Sequence, residues 1–252
     1  MRFRHLLPLA ALAAWVGVAP SAEAQISATD TFNFRVGTTA PSTSYWSAGH
    51  GDIDIHEHDP INDPGDWEVH YHFHNEPGEE ASGGGTPAFP GTPFQEEWEA
   101  GDLTTFIDSG LAAAQRVRDP GSQWDFTGVA SGATFYVLPA SDTAGLPYLG
   151  FSAEEYTFDI TYSLGSVTGG VISAWTQDGG GEPTAYWSSS TPGANVGYTV
   201  PAGGHEHMFI GFSALGDYTA QITAVPEPGS LGLAGAAGLG LAAFAWTRRR
   251  RG

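Results

Sequence analysis

The stretch Trp67-Glu68-Val69-His70-Tyr71-His72-Phe73-His74 alternates without a break. In an extended strand, successive side chains point to opposite faces, so residues two apart share a face. Trp67, Val69, Tyr71 and Phe73 therefore fall on one side, and Glu68, His70, His72 and His74 on the other. The aromatic side predicts a packed core. The histidine side predicts a polar surface able to hold a ligand. Strict alternation over this length is the pattern of a half-buried β-strand, not of a helix.

Outward from this stretch, short β-rich runs recur between glycines and prolines, which number 35 and 17. Strands are expected at Thr31–Val36, Asp52–His56, Ala133–Leu138, Tyr156–Leu164, Val167–Thr176, Thr184–Ser188, His205–Phe212 and Tyr218–Ala224. Such spacing predicts an all-β fold: one β-sandwich of Ig-like or jelly-roll-like type over residues 25–224. Leu103–Arg118 is the only stretch where a short helix competes. Asn75–Pro93, rich in Gly and Pro, reads as a long surface loop, either an insertion or a flap. Asp178-Gly-Gly-Gly181 reads as a hairpin tip. Repeats are absent, so one domain is expected.

The histidines carry the chemical signal. Eight of nine follow the N-terminal segment, in two neighbourhoods. The first runs from His50-Gly-Asp52-Ile-Asp54-Ile-His56-Glu-His58 to His70, His72 and His74; the second is His205-Glu-His207. Period two places Asp52, Asp54, His56 and His58 on one face, opposite Ile53 and Ile55. It also puts His205 and His207 on one face, opposite Met208, Ile210 and Phe212. Imidazole with carboxylate and no thiolate suits Zn²⁺, Cu²⁺ or Ni²⁺. The expectation is a single divalent-metal site, Zn or Cu, in which His205 and His207 approach His70 and His72 with His50 close by. His56, His58 and His74 are further candidates. The alternative is a solvated polar sheet face on which histidine is merely tolerated. Other chemistry is not signalled: no Gly-x-Ser-x-Gly elbow, phosphate loop, dinucleotide fingerprint or His-Glu-x-x-His helix is present. Glu96-Glu97 and Glu154-Glu155 read as solvated surface. No catalytic residue is assigned, and a non-enzymatic protein is expected.

Both ends carry targeting signals. Residues 1–24 combine Arg2 and Arg4, an apolar run and Ala22-Glu-Ala24 before Gln25, the pattern of a secretion signal cleaved between Ala24 and Gln25 by signal peptidase. Residues 225–252 combine Val225-Pro226-Glu227-Pro228, an uncharged run from Leu231 to Trp246, and Arg248 to Arg251. The apolar run is expected to form a transmembrane helix in the inner membrane, with the arginines on the cytoplasmic side. Between the signal and the arginine block lie 27 acidic residues and three basic ones, Arg35, Arg116 and Arg118, with no lysine. Such a surface repels nucleic acid and anionic lipid, and serves either solubility outside the cell or the collection of cations. The chain has no cysteine, so no disulfide staples it and no thiolate binds metal.

The tail resembles the PEP-CTERM sorting signal of Gram-negative bacteria. That resemblance implies export, processing by an exosortase near Pro226-Glu227-Pro228, and a place in the cell envelope, on the surface or in the extracellular matrix. The middle is similar to the choice-of-anchor M domain, related to the actinobacterial surface-anchored protein domain. The motifs are Trp46-Ser-Ala-Gly-His50-Gly-Asp52, Tyr136-Val-Leu-Pro139 with Gly145-Leu-Pro-Tyr-Leu-Gly150-Phe, and Gly204-His-Glu-His207-Met-Phe209 with Gly216-Asp-Tyr218. The resemblance implies a domain carried by different anchors and no established activity. Relatives found beside metal-type transporters favour a metal. His56, His58, His74 and the loop after His74 depart from the family pattern. Two other functions stay open: a structural or adhesive matrix protein without metal, and a metal-dependent hydrolase of extracellular polymer.

Overall fold

A computed structural model describes residues 27–59, 63–191 and 195–227, with side chains outside 57–66. The expected secretion signal, with Ala24 and Gln25, lies outside the described residues, as do Pro228 and the apolar tail. Among the described residues, no helix is long and apolar enough to cross a membrane.

Sixteen strands are described: β1 (Ala28–Gly37), β2 (Tyr45–Asp59), β3 (Asp63–Phe73), β4 (Ser82–Gly84), β5 (Glu97–Glu99), β6 (Thr104–Asp108), β7 (Gln115–Val117), β8 (Thr134–Leu138), β9 (Pro147–Ser152), β10 (Ile160–Thr168), β11 (Ile172–Gln177), β12 (Pro183–Ser188), β13 (Tyr198–Val200), β14 (His205–His207), β15 (Phe209–Phe212) and β16 (Gly216–Pro226). The larger sheet runs β13-β10-β16-β1-β6-β2-β3-β5, with β9 and β4 also on β2, and β14 on β9. The smaller runs β12-β11-β15-β8-β7. The two make a mostly-β, sandwich-like arrangement. Phe34 meets Phe212 across it at 5.3 Å, and Phe151 meets Trp187 at 5.0 Å. Burial of such aromatic area drives the packing.

The alternation at 67–74 is realised. Val69, Tyr71 and Phe73 are buried in the core, and Trp67 packs half-buried against it. The hairpin at Asp178 also forms, its carboxylate accepting from the N–H groups of Gly180 and Glu182.

Several expectations are corrected. In Leu103–Arg118, where a short helix competes, strands prevail: β6 pairs parallel with both β1 and β2, a single 3₁₀ turn Ala112–Ala114 follows, and β7 completes the stretch. Tertiary pairing overrides local propensity there. His205–Phe212 is not one strand. Its first three residues join the larger sheet and Phe209–Phe212 the smaller, with the chain crossing at the fully buried Met208. β10 continues through a bulge between Leu164 and Val167, so the expected break falls later, at Gly169-Gly170. The Asn75–Pro93 loop is docked: Phe89 packs on Phe73 at 4.9 Å, and β4 pairs with β2. Gly49 makes this possible, because at its φ of 88° a Cβ would lie 2.1 Å from the Glu80 carbonyl oxygen.

Candidate metal centre

One half of β2 organises the site. There it pairs antiparallel with β3 and parallel with β9; β9 pairs with β14, and β3 with β5. The order β14-β9-β2-β3-β5 aligns His207, Gly150, Asp52, His72 and Glu97 in one row. Side chains of a row share a face, so the hydrophilic residues of five strands meet on one surface while Ile53, Leu149, Phe151 and Tyr71 line the other. This surface is not an ordinary solvated face. His50, Asp52, Asp54 and His70 are 3, 1, 5 and 4% exposed.

In the neighbouring row three rings stack. His50 lies between Tyr148 at 4.7 Å and His74 at 4.3 Å, nearly parallel to both. Its Nε2 meets Asp52 Oδ1 at 3.1 Å and its Nδ1 meets Glu79 Oε2 at 3.2 Å. His74 Nε2 meets the other oxygen of Asp52 at 3.1 Å. His207 and His205 close in from β14, with ring centroids 4.9 and 5.6 Å from His50. His205 Nδ1 lies 2.5 Å from Glu154 Oε1.

The space among these groups exists because residue 150 is glycine. A Cβ built there would fall 1.9 Å from Asp52 Oδ1 and 3.0 Å from His207 Cε1. The missing side chain lets the Asp52 carboxylate and the His207 ring pack directly over the β9 backbone. Nitrogens of His50, His205 and His207 lie within 4.8 Å of one another, and so do ligand atoms of His50, Asp52 and His74. Nδ1 of His207 is buried without a hydrogen-bond partner.

Electrostatics favour a cation. Burial alone would raise the Asp52 pKa, yet hydrogen bonds from His50 and His74 outweigh it and hold the carboxylate well below its usual range. The hydrogen bond to Asp52 in turn raises His74. Burial lowers His207, which favours the neutral ring that coordinates metal. A divalent cation here would replace protons through which the imidazoles now meet their carboxylates.

No protein family, curated protein or solved structure matches the chain.

The structure gathers the expected residues differently from the sequence-based expectation. His50, His205 and His207 do come together, joined by His74. His70 and His72 do not reach them. In their rows β9 and β2 intervene between β14 and β3, a separation of about 14 Å at three strand spacings. The single site over all five histidines is therefore divided. His70 instead faces His56, its centroid 5.0 Å away, and burial first, then the imidazoles of His56 and His72, push its pKa down to about 4. His72 stacks only on His74, at 5.4 Å. The His58 side chain lies outside those described. Glu154, read as solvated surface, is a partner of His205. Strand period puts Asp52 on the histidine face without marking it as a ligand; its spacing to His50 in His50-Gly-Asp52 is the sequence signal for that role. Glu79 reaches His50 from a turn of the docked loop, where no periodicity marks it, and Gly150, though part of the Gly145-Leu-Pro-Tyr-Leu-Gly150-Phe motif, is brought beside Asp52 only by the pairing of β9 with β2.

Proposed function

We propose that this protein is an exported, surface-anchored, non-enzymatic binder of a divalent transition-metal ion. Zn²⁺ or Cu²⁺ is held by His50, Asp52, His205 and His207, with His74 adjoining. The observation that carries the reading is that two ligand groups, His50 with His205 and His207, and His50 with Asp52 and His74, share His50 beside Gly150. A His₃-carboxylate set without thiolate matches the preferences of these ions. The acidic surface raises the local cation concentration. The nearest carboxylates, Asp52, Glu79 and Glu154, are each engaged by a histidine. They therefore serve better as ligands and supports than as a general base. Export and anchoring rest on the two terminal signals, and the resemblance to choice-of-anchor M domains agrees with both.

Titration calorimetry with Zn²⁺ and elemental analysis test the reading. Replacing His205 and His207 together with Ala should abolish binding at this centre while circular dichroism remains that of the β fold. Unchanged stoichiometry and affinity in that double variant would refute it.

A further inference from the structure

The face that carries the Gly150 centre holds a second group of ligands farther along the sheet. His56 on β2, His70 on β3 and Glu97 on β5 lie on three consecutive strands. They form a diagonal across the face, because His56 is in register with Glu68, and Glu97 with His72, on either side of His70. One ligand atom from each lies within 4.8 Å of the others. Oε1 of Glu97 approaches Nδ1 of His56 only to 3.9 Å, beyond hydrogen-bonding range. The three groups thus surround a point without closing on one another.

His70 supplies an independent observation. It is 4% exposed, and its buried Nδ1 has no hydrogen-bond partner. Buried polar atoms are nearly always satisfied, and leaving one orphaned is destabilising. Its cross-strand neighbours are Glu99 on β5 and Asp54 on β2, whose Oδ1 accepts instead from the Ile55 N–H. An ion coordinated at that nitrogen would remove the deficit. Two neutral imidazoles and a carboxylate complete three-quarters of a tetrahedral shell and leave one position to water.

We infer that His56, His70 and Glu97 form a second divalent-cation site, so that the sheet face holds two ions. It draws no ligand from the Gly150 centre. The row of His70 lies about 13 Å along the strands from that of His50, at four residues of rise, so one ion cannot serve both. The inference stands or falls independently of the first centre.

The test counts ions. The full chain is purified, stripped with chelator, reloaded with Zn²⁺ and measured by elemental analysis and calorimetry. Two ions per chain are expected. His56→Ala and His70→Ala should each leave one, and the His205→Ala/His207→Ala double variant should also leave one. Because His70 is buried and its loss could disturb folding, Glu97→Gln on the exposed strand β5 is the second arm. It should weaken one of the two binding events by at least about tenfold, the cost of losing even an outer-shell partner. A chain that binds one ion, lost only through His205 and His207, overturns the second site and leaves the first. A chain that binds one ion, lost through His70 and Glu97 but not through His205 and His207, supports the second site and removes the first. Full stoichiometry and affinity in both His56→Ala and Glu97→Gln overturns the second site.

Discussion

Asp52 and Asp54 are two residues apart on β2, face the same side and are almost equally buried, yet their environments shift their pKa values in opposite directions. Burial is the largest influence on both and opposes ionisation. At Asp52 two imidazoles reach the carboxylate and reverse the outcome. At Asp54 the Ile55 N–H donates but does not offset burial; the charge of Asp52 adds repulsion, and the pKa is pushed up to about 7. The difference lies in the neighbouring strands. Around Asp52, β9 contributes a glycine, which leaves room for His207, while His74 arrives from beyond the end of β3. Around Asp54, β3 offers His70, whose pKa is itself pushed down to about 4. Burial accounts for the direction at Asp54 but not at Asp52, where the partners that strand register brings within reach decide it.

The strongest way to break this contrast is Asp52→Ala. It leaves His50 and His74 facing a buried gap and should destabilise the metal-free chain by about 3–5 kcal/mol, the cost of breaking a buried pair. Asp52 has a lowered folded pKa, so its contribution is present above pH 4 and fades as pH falls. His74 has a raised one, so its contribution is full below about pH 6.5 and fades as pH rises. The wild-type advantage should thus peak between roughly pH 4 and 6.5 in denaturant titrations with chelator present. A difference independent of pH would remove the electrostatic account.

Asp54→Asn should act in the other direction. A folded pKa near 7 means that stability is full below the unfolded value and is lost as pH rises through 7. The variant should match wild type below pH 4 and exceed it above pH 7 by about 2–4 kcal/mol. Denaturation midpoints across that range check it, and a variant less stable at pH 8 contradicts it.

Gly150→Ala sharpens the comparison at smaller energetic cost. The added methyl displaces the Asp52 carboxylate, at about 1–3 kcal/mol of overpacking. Zn²⁺ affinity at the first centre should fall at least about tenfold, while binding at His56, His70 and Glu97 is untouched. Calorimetry separates the two events. Smallest of all is His72→Ala. His72 belongs to neither ligand group, so the change should stay within about 0.5 kcal/mol and leave ion stoichiometry unaltered.

How much was legible in the sequence follows from how local each feature is. The stretch 67–74 could be read because alternation is a property of one strand. The histidine face could be read for the same reason. β9 could not: Pro147–Ser152 is buried on both faces, so no alternation marks it. Yet this strand positions Gly150 between Asp52 and His207. Nor could the partition of the histidines be read, since it depends on β9 and β2 lying between β14 and β3. The crossing at Met208 was concealed because His205, His207, Ile210 and Phe212 keep a strand-like spacing through it.

That crossing has a mechanical consequence. A single buried residue, Met208, spans from the larger sheet to the smaller, with His207 at one end and Phe209 stacked on Trp175 at the other. Tension tending to slide the sheets apart loads this link directly. An ion gripping His205 and His207 to β2 would act as a rivet beside it, anchoring a three-residue strand that otherwise holds by few hydrogen bonds. Shear strength, and not only affinity, would then depend on metal supply.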